Sequence, residues 1–132
     1  MQNNYLIQSL QLTYSILNLV RTFFHMPKKC NVFSNVSDAS KDEIFEKLVC
    51  SNNSLVERIT SFGQSTPKGK WLKQTKNEWV ILLSGSATLV FMGQKPLRLK
   101  PDDYVFIPAG CKHRVHSTSK SQRSIWIAFH FD

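Results

Sequence analysis

The stretch Pro101 to His113, reading Pro-Asp-Asp-Tyr-Val-Phe-Ile-Pro-Ala-Gly-Cys-Lys-His, constrains this chain more than any other. It opens on a turn at Pro101-Asp102, runs through a short apolar strand and turns again at Pro108-Ala109-Gly110. It then delivers His113 to the start of another strand. A histidine behind so tight a turn is held in place, which makes His113 the first candidate for a chemical centre.

The same punctuation recurs through the second half of the sequence. From Leu55 onward the pattern has period two, and the expected strands are 55–62, 70–74, 78–83, 86–92, 97–99, 104–107, 113–117 and 124–131. Gly63, Pro67, Gly69, Gly85, Gly93 and Gly110 mark the turns between them. Short strands at such regular spacing indicate an all-β antiparallel sandwich or barrel, not a parallel α/β sheet. Closure into a small antiparallel jelly-roll β-barrel is favoured, because so many strands in one open sheet would leave long edges unpaired.

The first part of the chain reads differently. Residues 1–20 carry no charged side chain. Leu6, Leu10, Leu17, Val20 and Phe24 recur at helical spacings, with Gln8, Gln11, Ser15, Asn18 and Thr22 as a polar stripe. This predicts an amphipathic helix over residues 4–25. Its apolar run is too interrupted for a membrane span, and it lacks the basic start and cleavage site of a signal peptide. The expected organisation is an N-terminal helical extension over 1–29 and a barrel domain over 30–132. Met26 is an alternative start, which would place the first 25 residues outside the protein. Residues 27–39 read as extended chain or loop. Ser40-Lys41-Asp42-Glu43 has the form of a capping box, and Ile44, Phe45, Leu48 and Val49 then predict a short helix ending near Val49.

A chain of 132 residues supports one domain with a real core but not two. Cys30, Cys50 and Cys111 form no CxxC pair, so neither a disulfide framework nor a zinc knuckle is indicated, and a reducing cytoplasm is the simplest location. The net charge of +8 raises nucleic acid as a partner. The basic residues are nevertheless dispersed. The densest group, Lys68, Lys70, Lys73 and Lys76, has no arginine and reads as a solvated surface.

Two groups of residues resemble the motifs of the cupin superfamily. Glu78 separated by six residues from Gly85, and Pro108, Gly110 and His113 with that internal spacing, fit its motifs G-x5-H-x-H-x3,4-E-x6-G and G-x5-P-x-G-x2-H-x3-N. The chain is similar to small single-domain bacterial cupins of unassigned function. Trp71, Gln74, Glu78 and Trp79, and the ending Trp126, Ala128, His130, carry that closer likeness. The resemblance implies a barrel, a homodimer and a divalent metal such as Mn, Fe, Ni or Zn. The metal ligands fall on Glu78 and His113, with Gln74 and Leu72 at the two positions where the family has histidines. Ser117 stands for the motif asparagine and Asp102 for its opening glycine, a position where Asp tolerates a positive φ at a cost of about 1 kcal/mol.

The residues also speak without the family. Alternation places Leu72 with Gln74, Glu78 with Val80 and Leu82, and His113 with Val115 and Ser117. A glutamate on an apolar face is costly to bury unpaired. Gln74, Glu78 and His113 either cradle a cation together or form a metal-free polar pocket in which Glu78 accepts hydrogen bonds. His116 falls on the face opposite His113. His130 shares parity with Trp126 and Ala128 and reads either as a residue of the barrel mouth or as an ordinary satisfied histidine. Trp71, Trp79 and Trp126 read as core or interface aromatics, Cys111 as a loop cysteine, and no nucleophilic triad is visible. The functional expectation is a small molecule bound in the barrel. It is either turned over weakly with metal assistance or held by a non-catalytic sensory module.

Overall fold

The computed structural model describes residues 27–132 together with Thr13 and Ile16. The chain divides into two compact units, Met1–Ser34 and Asn35–Asp132, and every strand lies in the second. Apart from Thr13 and Ile16, the helix expected over 4–25 lies outside the described residues. Residues 27–35 contain a turn at 32–35 and no helix. Among the described residues no helix is long and apolar enough to cross a membrane.

Eight strands follow: β1 (Ile44–Cys50), β2 (Ser54–Ser61), β3 (Asn77–Ser84), β4 (Ala87–Phe91), β5 (Leu97–Leu99), β6 (Tyr104–Ile107), β7 (His113–Thr118) and β8 (Ser124–Phe131). They form a five-stranded sheet, β1-β2-β8-β3-β6, and a three-stranded sheet, β5-β4-β7. All pairings are antiparallel. The all-β antiparallel expectation holds, with the two sheets packed as in a jelly roll. Val80, Leu82, Ile107, Trp126 and Ala128 from the larger sheet meet Ala87, Leu89, Phe91 and Leu99 from the smaller in one core. Leu82 is completely buried, a contribution of roughly 1.5–3 kcal/mol over exposure.

Register carries this core into the site. Ile59, Trp126 and Leu82 lie in one cross-strand row, and His130 lies opposite both Leu55 and Glu78. Since side chains alternate, Trp126, Ala128 and His130 point to the same side of β8.

Three local expectations are corrected. The helix read over 40–49 is strand β1. Ser40 turns its amide to Asp38 and Ser61 donates to Glu43, so the capping box does not form. The apolar spacing of Ile44, Phe45, Leu48 and Val49 suited a helix, but pairing along β2 from Ile44↔Thr60 to Cys50↔Leu55 wins. A bidentate ion pair reinforces that ladder. Arg58, directly across from Glu46, donates Nε to its Oε2 at 2.8 Å and an Nη2 proton to its Oε1 at 2.9 Å. Those hydrogen bonds hold the Glu46 carboxyl below its ordinary range. Second, the strand expected at 70–74 reduces to one bridge, Leu72↔His113. Third, alternation in β7 breaks at His116, because β4 and β7 shift register between Thr88↔Ser117 and Leu89↔Val115. The bulge leaves Ser117 exposed and buries Thr118 in its place.

Asp102 does take the left-handed backbone, at φ 75°, while its amide donates to the Leu82 carbonyl at 2.8 Å. Gly85, the last motif-one residue, is left-handed at φ 82°, and a Cβ there would lie 2.6 Å from the Ser124 Cα and 2.8 Å from the Arg123 carbonyl. Gly93 is equally left-handed, at φ 78°, but faces open space. Gly93→Ala therefore costs about 1 kcal/mol of stability, the strain of the backbone alone. Gly85→Ala adds a backbone collision and costs about 3 kcal/mol or more. Urea unfolding of the two variants checks the difference.

Candidate functional site

Glu78 enters β3 beside the edge strand β6, opposite Ile107, and is 8% exposed. Its carboxylate has no proton to give, so the neighbouring amide must present its N–H: Gln74 Nε2 donates to Glu78 Oε2. Gln74 is itself pinned, because Gly110 of the Pro-Ala-Gly turn donates its amide to the Gln74 carbonyl at 2.8 Å. The turn that places His113 thus also places Gln74.

His113 begins β7 and is 4% exposed. Its backbone exchanges two hydrogen bonds with Leu72, at 2.8 and 3.1 Å. Its ring packs on Phe91 at 5.9 Å. Nδ1 lies 3.1 Å from the Cys111 carbonyl, and a carbonyl only accepts, so Nδ1 carries a proton and Nε2 is left as the ring's free nitrogen. Cys111 is half-buried against the core; its backbone, not its thiol, serves the site.

These three residues line one cavity of about 340 Å³. Its wall is largely apolar, with Phe45, Ile59, Val80, Leu89, Val115 and Trp126 contributing. Two further groups stand in the cavity, and of these sequence reasoning passed over Glu57. Glu57, in β2, and His130, in β8, both line the cavity and pair at Oε2···Nε2 3.2 Å, with side chains 15% and 16% exposed. Of the two readings open for His130, the cavity is where it lies. The signal for Glu57 was a charged residue on a strand whose same-face neighbours, Leu55 and Ile59, are apolar. Glu43, assigned to a capping box, also lines the cavity. It accepts from Ser61, whose oxygen in turn receives Trp126 Nε1–H at 3.3 Å. His116 and Trp79 lie outside the cavity. His116 is exposed, and Trp79 packs at a tilt against Tyr104, ring centroids 5.6 Å apart.

The donor chemistry does not fit a tightly held metal. Leu72 occupies one histidine position and cannot ligate. Gln74 occupies the other, and its amide is turned toward Glu78. Among the described residues no three His, Cys, Asp or Glu side chains come together in a metal-holding group.

Burial pushes the Glu43 carboxyl above its ordinary value of 4.5, and the Ser61 hydrogen bond offsets only part of this. A raised carboxyl pKa favours the fold below the unfolded value and loses that contribution as pH rises through the folded one. Glu43→Gln removes this dependence. Its stability relative to the parent therefore rises as pH climbs from about 4.5 and levels off above the folded pKa, a trend that denaturant unfolding across pH 4 to 8 measures.

Comparison with known proteins supplies the family context. The sequence model of the family described as Cupin domain matches residues 60–130. A protein from Ralstonia eutropha that carries the provisional name mannose-6-phosphate isomerase is 38% identical; the match covers 80% of this chain and 99% of that one, with a TM-score of 0.77. A cupin superfamily protein from Desulfitobacterium hafniense is 16% identical, with 80% and 93% covered and a TM-score of 0.65. A DMSP lyase from Ruegeria pomeroyi is 18% identical, with 80% and 55% covered and a TM-score of 0.60. The last two show likeness of fold alone. No curated protein matches the sequence.

Proposed function

Because the chain belongs to the cupin domain family, in which one barrel hosts many chemistries, we propose that its cavity binds a small hydroxylated molecule without a resident metal. Gln74, Glu78 and His113 form the polar end of that pocket. The arrangement of donors and acceptors carries the reading. Glu78 takes its hydrogen bond from Gln74 and His113 Nδ1 is committed to the Cys111 carbonyl. Beside the second N–H of Gln74, what the polar end still offers is mainly acceptors: the remaining carboxylate lone pairs, the Gln74 amide oxygen and an imidazole nitrogen. Ligand hydroxyls are the complementary donors, and the apolar wall suits the carbon face of such a molecule.

A second reading, acid–base turnover of the bound molecule, is favoured by the Glu57–His130 pair. His130 is the cross-strand neighbour of Glu78, so a carboxylate and an imidazole stand side by side in the cavity. The isomerase name of the Ralstonia relative belongs to the same reaction class.

A thermal-shift screen of polyols and hexoses, followed by calorimetry on the best binder, tests the binding reading. Glu78→Gln and His113→Ala are expected to weaken binding by roughly 10- to 100-fold, the size of a lost hydrogen bond to a charged group. Elemental analysis of protein purified without an affinity tag is expected to find no stoichiometric Mn, Fe, Ni or Zn. A stoichiometric metal that His113→Ala releases overturns the metal-free pocket.

A further inference from the structure

The cavity does not end at Glu57 and His130. Those two residues, with Lys73 and Gln74, also line a wider groove of about 570 Å³ that continues the cavity outward. The groove takes its remaining wall from the end of β1, the β1–β2 turn and the loop before β3. Three lysines stand on it, Lys47, Lys73 and Lys76, among small polar side chains that include Ser51, Asn52 and Thr75.

The lysines are not equivalent. Lys76 Nζ is committed to Asp132 Oδ1 at 3.0 Å and to the Asn53 carbonyl at 2.8 Å. Lys47 lies directly across β2 from Glu57, on the same side of the sheet, and Glu57 is its natural partner. That carboxylate is instead turned to His130. Among the described residues neither Lys47 nor Lys73 makes an ion pair or side-chain hydrogen bond. Two unpaired ammonium groups therefore share one groove, and the only carboxylate on its wall is already matched. Inward of them stand the acceptors Glu78 and the free nitrogen of His113, with the Gln74 amide beside them.

Resting on the reading of the cavity as a pocket for hydroxylated molecules, we propose that the groove is an anion subsite: the ligand ends in a phosphate or carboxylate held by Lys47 and Lys73, while its hydroxylated body reaches Glu78 and His113. The polarity runs in one direction along the molecule. The cationic rim takes the charged end, the acceptor cluster takes hydroxyl donors, and the apolar wall takes the carbon skeleton. A neutral sugar would leave both ammonium groups of the groove without a counter-charge. An anion there supplies one and makes charge-assisted hydrogen bonds. The lysines stand at the rim, so their attraction also guides an anionic ligand toward the entrance.

Calorimetry at fixed pH on the full chain tests this with four probes: hexose, hexose 6-phosphate, hexuronate and inorganic phosphate. The phosphate ester or the uronate is expected to bind at least tenfold more tightly than hexose, with an advantage that shrinks between 50 and 300 mM salt. The two anions distinguish the source of the charge. Lys47→Ala and Lys73→Ala are each expected to lower the affinity for the anionic probe by about tenfold, and Lys47→Ala, outside the cavity itself, is expected to leave hexose binding unchanged. Lys47→Arg is expected to restore most of the loss, which separates charge from packing. Equal affinity for hexose and both anions, or lysine variants that bind the anions as the parent does, would overturn the subsite and leave the pocket reading intact. Failure of all four probes to bind would overturn both. The lysines are exposed, so their variants fold, and near-identical urea midpoints confirm it.

Discussion

Strand β8 lies between β2 and β3, and the positions of Glu57, Glu78 and His130 in the cavity follow from that placement. A strand hydrogen-bonded on both sides has no freedom to slip, because a shift of one residue would turn Trp126 and Ala128 out of the core and bring Phe129 and Ile127 in. With register fixed, Glu57 comes from one side, Glu78 from the other and His130 from between them. The apolar row Ile59–Trp126–Leu82 lies deeper along the same strands. The hydrophobic core thus sets the geometry of the site without contributing an atom to its chemistry.

Three carboxylates line one partly apolar cavity, an arrangement that would be strongly unfavourable if they shared their environment. Each has its own donor instead. Glu78 has the Gln74 amide, Glu57 has the His130 imidazole, and Glu43 has the Ser61 hydroxyl backed by Trp126. A buried carboxylate left without such a donor costs several kcal/mol, so removing any one partner is expected to be felt. The pairs also separate roles. Glu43, just before β1, is desolvated enough by burial that its pKa is raised. Glu46, a few residues on but facing Arg58, is held down by a bidentate guanidinium. Neighbours in sequence acquire opposite proton affinities because alternation sends them to opposite faces of β1.

The turn-strand-turn-histidine of Pro101 to His113 was legible because its signals are local. Proline and glycine fix backbone angles within a few residues, and the pattern places His113 without reference to the rest of the chain. Period two from Leu55 onward was legible for the same reason. β1 was misread because Ile44, Phe45, Leu48 and Val49 satisfy a helical period, and what overrules it is a ladder to a strand further along the chain. The bulge at His116 left no trace in residue types, so Ser117 was assigned to the wrong face. Gln74, Glu78 and His113 were found through motif spacing. Glu57 was not singled out and His130 was left between two readings, because neither occupies a ligand position of the motifs and their partnership spans most of the barrel domain in sequence. A pair of that kind becomes visible only when register brings two strands together.

The residues at the two altered motif positions act differently from one another, and together they decide what the pocket can hold. Leu72 keeps only a backbone role. Its amide and carbonyl still clasp His113, and the side chain that would have ligated is replaced by one that cannot. Gln74 keeps a polar role but reverses its sense. An imidazole there would offer a lone pair inward, whereas the amide offers a proton to Glu78. A carboxylate that a cation would have balanced is therefore balanced by a neutral donor, which satisfies one oxygen and leaves the other lone pairs free. A metal site organises ligands by pulling on their electron pairs. On the proposed reading, this pocket instead presents electron pairs of its own to the hydroxyl protons of a ligand.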